Sequence, residues 1–256
     1  MLPTRSPLDI LSWIGQAFAF GVRAGLASIR AILRPSWWLR PFYHVLVGAL
    51  PLAFVTGLCL GVVIWMHTRS SLERAGAGAA EYLPTVLSAA VLLELAPIAA
   101  GLILSARTGA SLGAELASMK VSEQIDALAM LGVSPLRRLI GPRVLACVLA
   151  APILYVIIAT VALTSGYGAE ALGGQTTLLK YQTAVLRELY LADVIPAALK
   201  TLVFGLIVGV VGCYLGVTAS EGSEGVGRSA TDSVVVCSLL VLLADVMLVG
   251  LIKVAM

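Results

Sequence analysis

Residues 139–165 read LIGPRVLACVLAAPILYVIIATVALTS, and Arg143 is the single charge among them. A helix needs about 20 consecutive apolar residues to cross the hydrocarbon core of a bilayer. The core-facing helix of a soluble protein shows instead a polar stripe repeating every three or four residues. This run has the required length and no such stripe, so it reads as a membrane span, with Pro142 and Pro152 at its start or inside it. Blocks of the same kind occupy residues 43–66, 82–106, 192–217 and 233–254. The whole chain of 256 residues is 59% hydrophobic and 12% charged. Its mean hydropathy is +1.00. Soluble domains carry about 25% charged residues, so this chain has too few charges to cover a water-facing surface. The reading is an all-α polytopic membrane protein with about five transmembrane helices, forming a single domain over residues 1–256.

Outside the spans, residues 8–34 read as an amphipathic helix. At 100° per residue, Asp9, Ser12, Gln16, Arg23, Arg30 and Arg34 share one narrow stripe, while Trp13, Ile14, Phe18, Val22, Leu26, Ile29 and Leu33 lie off it. A long apolar helix with a thin basic stripe suits the membrane interface. No small-residue cleavage site follows it, which argues against a signal peptide. Arg34 to Pro41, with Trp37 and Trp38, reads as a break at the interface. Gly57 with Gly61, and Gly205, Gly209, Gly212 and Gly216, form GxxxG pairs that permit close helix packing. Residues 166–189 read as a loop with a short helix, and residues 220–232 as a Gly-rich loop. Basic residues cluster beside the N-terminal segment, the second-to-third connection and the last connection. The positive-inside rule then predicts a cytoplasmic N-terminus and a periplasmic C-terminus, with Lys200 near a helix start on the outer side.

Residues 118–131 read as one short helix between the second and third spans. Val121, Ile125 and Leu128 line one face, Gly132 stops it and Pro135 ends the unit. Such a helix either lies on lipid or docks into a nucleotide-binding partner. Glu94 falls near the middle of the second span and Asp245 inside the last. A carboxylate at that depth costs roughly 2.5–3.5 kcal/mol on insertion scales, so it faces protein or a wet cavity. Glu94 reads either as a polar contact for a lipid head group or as an interhelical hydrogen bond. Asp245 reads the same way, or as a partner for Lys200. Arg107 and Arg143 are ion-pair anchors for Glu115, contacts for lipid phosphate, or plain inner-side anchors.

The ordered motifs are Glu94-Leu-Ala-Pro97, Ser105-Ala-Arg107-Thr-Gly109, Ala114-Glu115-Leu116, Met119-Lys120, Ser122-Glu123-Gln124-Ile125-Asp126-Ala127-Leu128, Gly132-Val-Ser-Pro135 and Pro142-Arg143. In order and spacing they resemble the MlaE/YrbE permease family, whose pattern runs E-L-G-P, A-G-R-x-G, A-E-x-G-x-M, E-Q-I-D-A-L, G-x-x-P and P-R. The likeness continues at Lys200 to Phe204, at Gly225 to Arg228 and at Asp245. It covers nearly the whole chain, most weakly before Tyr43 and over residues 166–191.

The resemblance implies an ABC transporter permease subunit that moves phospholipid or related hydrophobic molecules between the inner membrane and the outer envelope. It implies a dimer with a second permease chain, identical or paralogous, a cytoplasmic ABC ATPase and an outer MCE-domain protein. Ser122 to Leu128 would be the coupling helix, and Glu94 with Pro97 would lie by the lipid cavity. Three positions depart from the pattern. Ala96 and Ala106 stand where the family has glycine, which predicts looser packing, and Asp232 stands where it often has arginine.

The chain contains no P-loop: the stretch from Glu221 to Arg228 lacks the Lys-Ser/Thr ending. ATP and magnesium are therefore expected on a partner, with no cofactor or metal on this chain and no nucleic acid partner. Cys59, Cys147, Cys213 and Cys237 fit no zinc or redox spacing and read as packing residues. The only histidines, His44 and His67, flank one apolar block and suit no intramembrane catalytic centre. A stand-alone proton-coupled transporter using Glu94 and Asp245 is the alternative, but no internal repeat supports it. With no Ser/Arg-rich transit extension in view, a bacterial inner membrane is the expected location.

Overall fold

The computed structural model describes residues 7–76, 79–172, 178–188, 191–220 and 222–255, which form helices and turns with no strand among them. Its helices are α1 (Pro7–Ile32), α2 (Pro35–Ala75), α3 (Leu83–Ala90), α4 (Ala96–Leu104), α5 (Ala110–Val121), α6 (Gln124–Met130), α7 (Gly141–Leu172), α8 (Leu178–Glu188), α9 (Leu191–Val217) and α10 (Ser223–Ala255). Among the described residues, five helical rods are long and apolar enough to cross a membrane: Pro35–Arg74, Leu83–Val121, Leu136–Leu172, Val194–Val217 and Ser223–Val254.

Several rods outrun the expected spans. The interfacial break narrows to Leu33 and Arg34, and α2 begins at Pro35. Proline is well placed there, because its missing N–H has no partner in a first turn. Pro41 and Pro51 lie inside α2; each removes one ladder bond and leaves the rest of the helix intact. The second span does not end at residue 106. α3, α4 and α5 join through two wider turns, Val91–Leu95 and Ser105–Gly109, into one rod of 39 residues. At 1.5 Å per residue it is about 58 Å long, well beyond a hydrocarbon core of about 30 Å.

The expected single helix over 118–131 is two. α5 ends at Val121, Glu123 turns the chain with φ 56, and α6 follows. The Ser122 hydroxyl donates back to the Ser118 carbonyl at 2.8 Å, where a helix terminates readily. Gly132 stops α6 with φ 72, as its sequence position predicts. The expected Gly-rich loop is also largely helix, since α10 starts at Ser223 with Gly225 and Gly227 inside it. Glycine disfavours helix by about 1 kcal/mol, but packing outweighs this. Ser229 in α10 donates to the carbonyls of Gly113 at 3.2 Å and Leu215 at 3.0 Å. In the 166–189 segment, α7 runs on to Leu172 and α8 is the short helix; residues 173–177 lie outside the described ones.

α7 is the centre of the bundle, packed against α2, α4 and α9, while α10 packs on α5 and α9. Two glycines set the closest approaches. A Cβ on Gly61 would overlap the Ala162 carbonyl oxygen and the Ser165 hydroxyl of α7. A Cβ on Gly205 would lie 2.6 Å from the Cys147 carbonyl oxygen, also in α7. Ala96 is fully buried in the core and Ala106 is exposed. Cys147, Cys213 and Cys237 are buried packing residues.

α1 turns a small-residue face, Ala24, Ala27, Ser28 and Ala31, onto the bundle. Its large residues Phe18, Val22, Leu26 and Ile29 are exposed, as is Leu33 just past its end. Sequence periodicity found the basic stripe but not this docking face, because alanine and serine carry little hydrophobic signal. The side chains of Asp9, Ser12, Trp13 and Ile14 lie outside the described ones.

Gly61→Val should therefore loosen α2 from α7, lowering stability by about 1–3 kcal/mol. Gly250→Ala, in open space within α10, should leave stability unchanged or raise it by up to about 1 kcal/mol. Unfolding titrations in detergent compare the two; equal effects would discount the α2–α7 contact.

Candidate functional site

Three charged side chains meet inside the apolar bundle. Lys200 of α9 places its Nζ 3.0 Å from Glu94 Oε2 and 3.4 Å from Asp245 Oδ1 of α10. Lys200 is 3% exposed, a buried residue and not one near a helix start, as the sequence reading had it. It sits well into α9 and points to the interior. Glu94, Lys200 and Asp245 each lie about ten residues, roughly 15 Å, from the same end of the bundle, which brings them to one level.

The backbone around Glu94 explains how the ammonium is held. Glu94 lies in the wide turn Val91–Leu95, where the Ala96 N–H donates to Val91, five residues back. Pro97 follows and has no N–H for either Leu92 or Leu93. Those two carbonyls take outside donors instead. The Tyr155 hydroxyl of α7 donates to Leu92 at 3.2 Å, and Lys200 Nζ donates to Leu93 at 3.1 Å. Pro97 itself is buried in the core and shapes this environment from behind.

Beside the trio is a cavity of about 150 Å³ lined by Leu93, Glu94, Pro196, Ala197, Lys200, Val249, Ile252 and Lys253. The Glu94 side chain is 43% exposed and that of Asp245 9%. Asp245 is thus mainly the internal partner of Lys200, while Glu94 presents an oxygen toward the opening.

A larger cavity, about 560 Å³, lies near the opposite end of the bundle. Its lining includes Arg40, His44, Arg107, Ser111, Glu115 and Arg143. Arg143 takes the Glu115 carboxylate at 2.6 Å. Arg107 turns to the backbone instead: its Nε donates to the Gly48 carbonyl at 2.7 Å. Gly48 makes room, since a Cβ there would come within 3.2 Å of that nitrogen. Of the two expected ion-pair anchors, then, Arg143 takes the role with Glu115.

In α6, Ile125 is 7% exposed and packs on its own chain, and Leu128 is half-buried. Ser122, Glu123, Gln124, Asp126 and Ala127 are exposed, and Asp126 pairs with Lys120 at 2.7 Å. The strongly exposed apolar residues are Met130 at 91% and Leu131 at 78%. The outward apolar tip of this unit is therefore not the Val121–Ile125–Leu128 face. In the last connection, Asp232 is 3.9 Å from Arg228 one turn away along α10.

A further cluster escaped sequence reading. Glu170 of α7, 3% exposed, accepts from Trp65 Nε1 at 2.7 Å and from Arg69 at 2.9 Å, tying α2 to α7. Tyr181 of α8 packs nearby on Tyr167. Burial, then the Glu170 charge, push its phenol up to about 12, so it stays neutral at ordinary pH. Glu170 lies more than 100 positions from Trp65 and Arg69 in the chain, and no local pattern joins them.

The family described as Permease MlaE matches residues 38–251. A probable ABC transporter permease protein of Rickettsia typhi is 34% identical over 230 residues, covering 88% of this chain and 87% of its own length. One from Synechocystis is 32% identical over 197 residues, 77% of this chain and 74% of its own. The chloroplastic protein Trigalactosyldiacylglycerol 1 of Arabidopsis thaliana is 37% identical over 182 residues, 71% of this chain and 50% of its own.

Removing one partner of a buried charge group costs about 3–5 kcal/mol. Lys200→Met should show a loss of that order, and adding Asp245→Asn should restore part of it by removing the stranded carboxylate. Glu94→Gln, at the half-exposed position, should cost less than about 1 kcal/mol. Denaturant unfolding of the purified chain reads all three; a Lys200→Met variant as stable as the parent would remove the trio from the fold's supports.

Proposed function

The chain belongs to the MlaE permease family, and on that premise we propose that two permease chains together form a transmembrane pathway for phospholipid or a related hydrophobic molecule. The chain is an ABC transporter permease subunit and carries the path rather than the energy source. ATP, with magnesium, is bound and hydrolysed on a cytoplasmic ATPase, and an MCE-domain protein receives or delivers cargo on the outer side. The complex sits in a bacterial inner membrane, N-terminus cytoplasmic and C-terminus periplasmic.

One observation carries this reading: a charged trio within an apolar bundle, open on the Glu94 side to a cavity of about 150 Å³. Drug-sized ligands occupy pockets of roughly 300–1,000 Å³, so this hollow cannot enclose a diacyl lipid. It is the size of a half-site, and a second chain against it would supply the missing wall. Glu94 then offers hydrogen bonding to a polar head group while the surrounding residues meet acyl chains. Lys200 ties Glu94 and Asp245 to one cation, which argues against two independent proton carriers. The plant relative is named for a diacylglycerol lipid, which supports a lipid cargo. The basic cavity with Arg107 and Arg143 offers phosphate contacts at the other leaflet.

Drive from the ATPase enters through α6. The long rod of α3, α4 and α5 links α6 to Glu94 without a break, so a push at one end shifts the other. Met130→Asp with Leu131→Asp should abolish co-purification of the ATPase while leaving the fold intact. Glu94→Gln should keep the ATPase bound but lower lipid transfer between vesicles by roughly tenfold, or about 1.4 kcal/mol. Unchanged ATPase recovery in the first variant would count against α6 docking, and unchanged transfer in the second against a cargo contact at Glu94.

A further inference from the structure

The α1–α2 junction holds two cations on one aromatic ring. The guanidinium carbon of Arg34 lies 4.6 Å from the Trp37 ring centroid, and that of Arg138 lies 4.4 Å from it. The two groups are therefore at most about 9 Å apart. They come from different places in the chain. Arg34 ends the break before α2, and Arg138 lies in the wide turn Leu136–Ile140 that leads into α7. α1 packs on that same turn, with Gly141 fitted against the backbone of Ala27.

A guanidinium stacked on an indole keeps its N–H edge free for in-plane bonding. Among the described residues, neither Arg34 nor Arg138 makes an ion pair or a side-chain hydrogen bond. Arg30 and Arg137 add further exposed cations on the same elements. Nearby carboxylates do not balance them, since Glu115 is taken by Arg143 and Asp126 by Lys120. Glu123, the remaining carboxylate of the connection, has no ion pair to these arginines. In the same turn as Trp37, Trp38 has a buried Nε1–H without an acceptor.

The surroundings choose the kind of anion. Ile32, Leu33 and Leu39 are exposed at 54%, 83% and 56%. Such a surface suits acyl chains and not bulk water, and tryptophans mark the head-group level. The ammonium of a zwitterionic head group would be repelled by these clustered arginines. We infer that Arg34 and Arg138, clamped on Trp37, form a binding site for the phosphodiester of an anionic membrane lipid. The site is separate from the Glu94 cavity. Bound there, the lipid joins the interfacial helix α1 to the connection between α6 and α7.

The test uses the full chain in nanodiscs with W13F, W38F and W65F, leaving Trp37 as the only tryptophan. Brominated phosphatidylglycerol and brominated phosphatidylcholine are titrated separately, and quenching is read. Phosphatidylglycerol should reach half-quenching at a mole fraction roughly fivefold lower. R34Q with R138Q should bring the two curves together, and each single substitution should narrow the gap. R34K with R138K, which keeps charge without the planar stack, should retain part of it. Coincident curves in the parent would overturn the proposal without reference to any arginine variant. So would an unchanged preference in the arginine-to-glutamine variants. Loss of the preference on adding millimolar inorganic phosphate would also overturn it, marking a site for soluble anions.

Discussion

An ammonium inside an apolar bundle is tolerable only if every one of its N–H groups finds an acceptor. Lys200 finds three: the Glu94 carboxylate, the Asp245 carboxylate and the Leu93 carbonyl. This requirement fixes the relative depth of the second rod, α9 and α10, because a slide of one turn in any of them would strand the charge. It also accounts for Pro97. The carbonyl that Lys200 uses is left over by a residue that cannot donate, so a helix defect becomes a binding partner. The wide turn at Val91–Leu95 and the Tyr155 hydroxyl complete the same arrangement.

Close packing provides the rest. Small residues let α2 and α9 approach α7 to backbone distance, which dispersion can exploit where water offers no hydrophobic drive. The bundle is consequently built around α7 as a packed core. The polar features lie at its ends and at one internal level. At one end Glu170 fastens α2 to α7. At the other, the arginines gather around α6 and the start of α7. The trio lies between them, so a continuous helical rod connects α6 to the polar opening.

That geometry gives the permease reading a mechanical form. The rod overshoots the bilayer and ends where Glu123 turns the chain into α6. The tip of α6 exposes Met130 and Leu131, whereas Ile125 is spent on internal packing. The α6 tip, proposed to dock the ATPase, and Glu94, proposed to meet cargo, are then joined by one helical rod.

Much of this was legible in the residues. Long uncharged blocks dictate membrane helices, because in hydrocarbon the backbone must satisfy its own hydrogen bonds. Glu94 stood out because a carboxylate there is costly. The ordered motifs gave the family, and Gly132 gave the stop after α6. Helix ends were less legible. The rods ran on past 106 and began before 233 because tertiary contacts, such as Ser229 on Gly113, outweigh local preference. The pairing of Lys200 with Asp245 was among the readings, but its depth in α9 and its bond to Glu94 were not, since charge counting cannot see how helices pack. The same holds for Glu170 with Arg69, and for Arg34 with Arg138 across Trp37. Chain composition determined that the protein lives in a membrane and roughly how often it crosses. Lys200 with Asp245 and Arg143 with Glu115 were among the readings of the residues, but Glu94 with Lys200, Glu170 with Arg69 and Arg138 with Trp37 were decided by packing, because each joins residues about a hundred positions apart that no local periodicity relates.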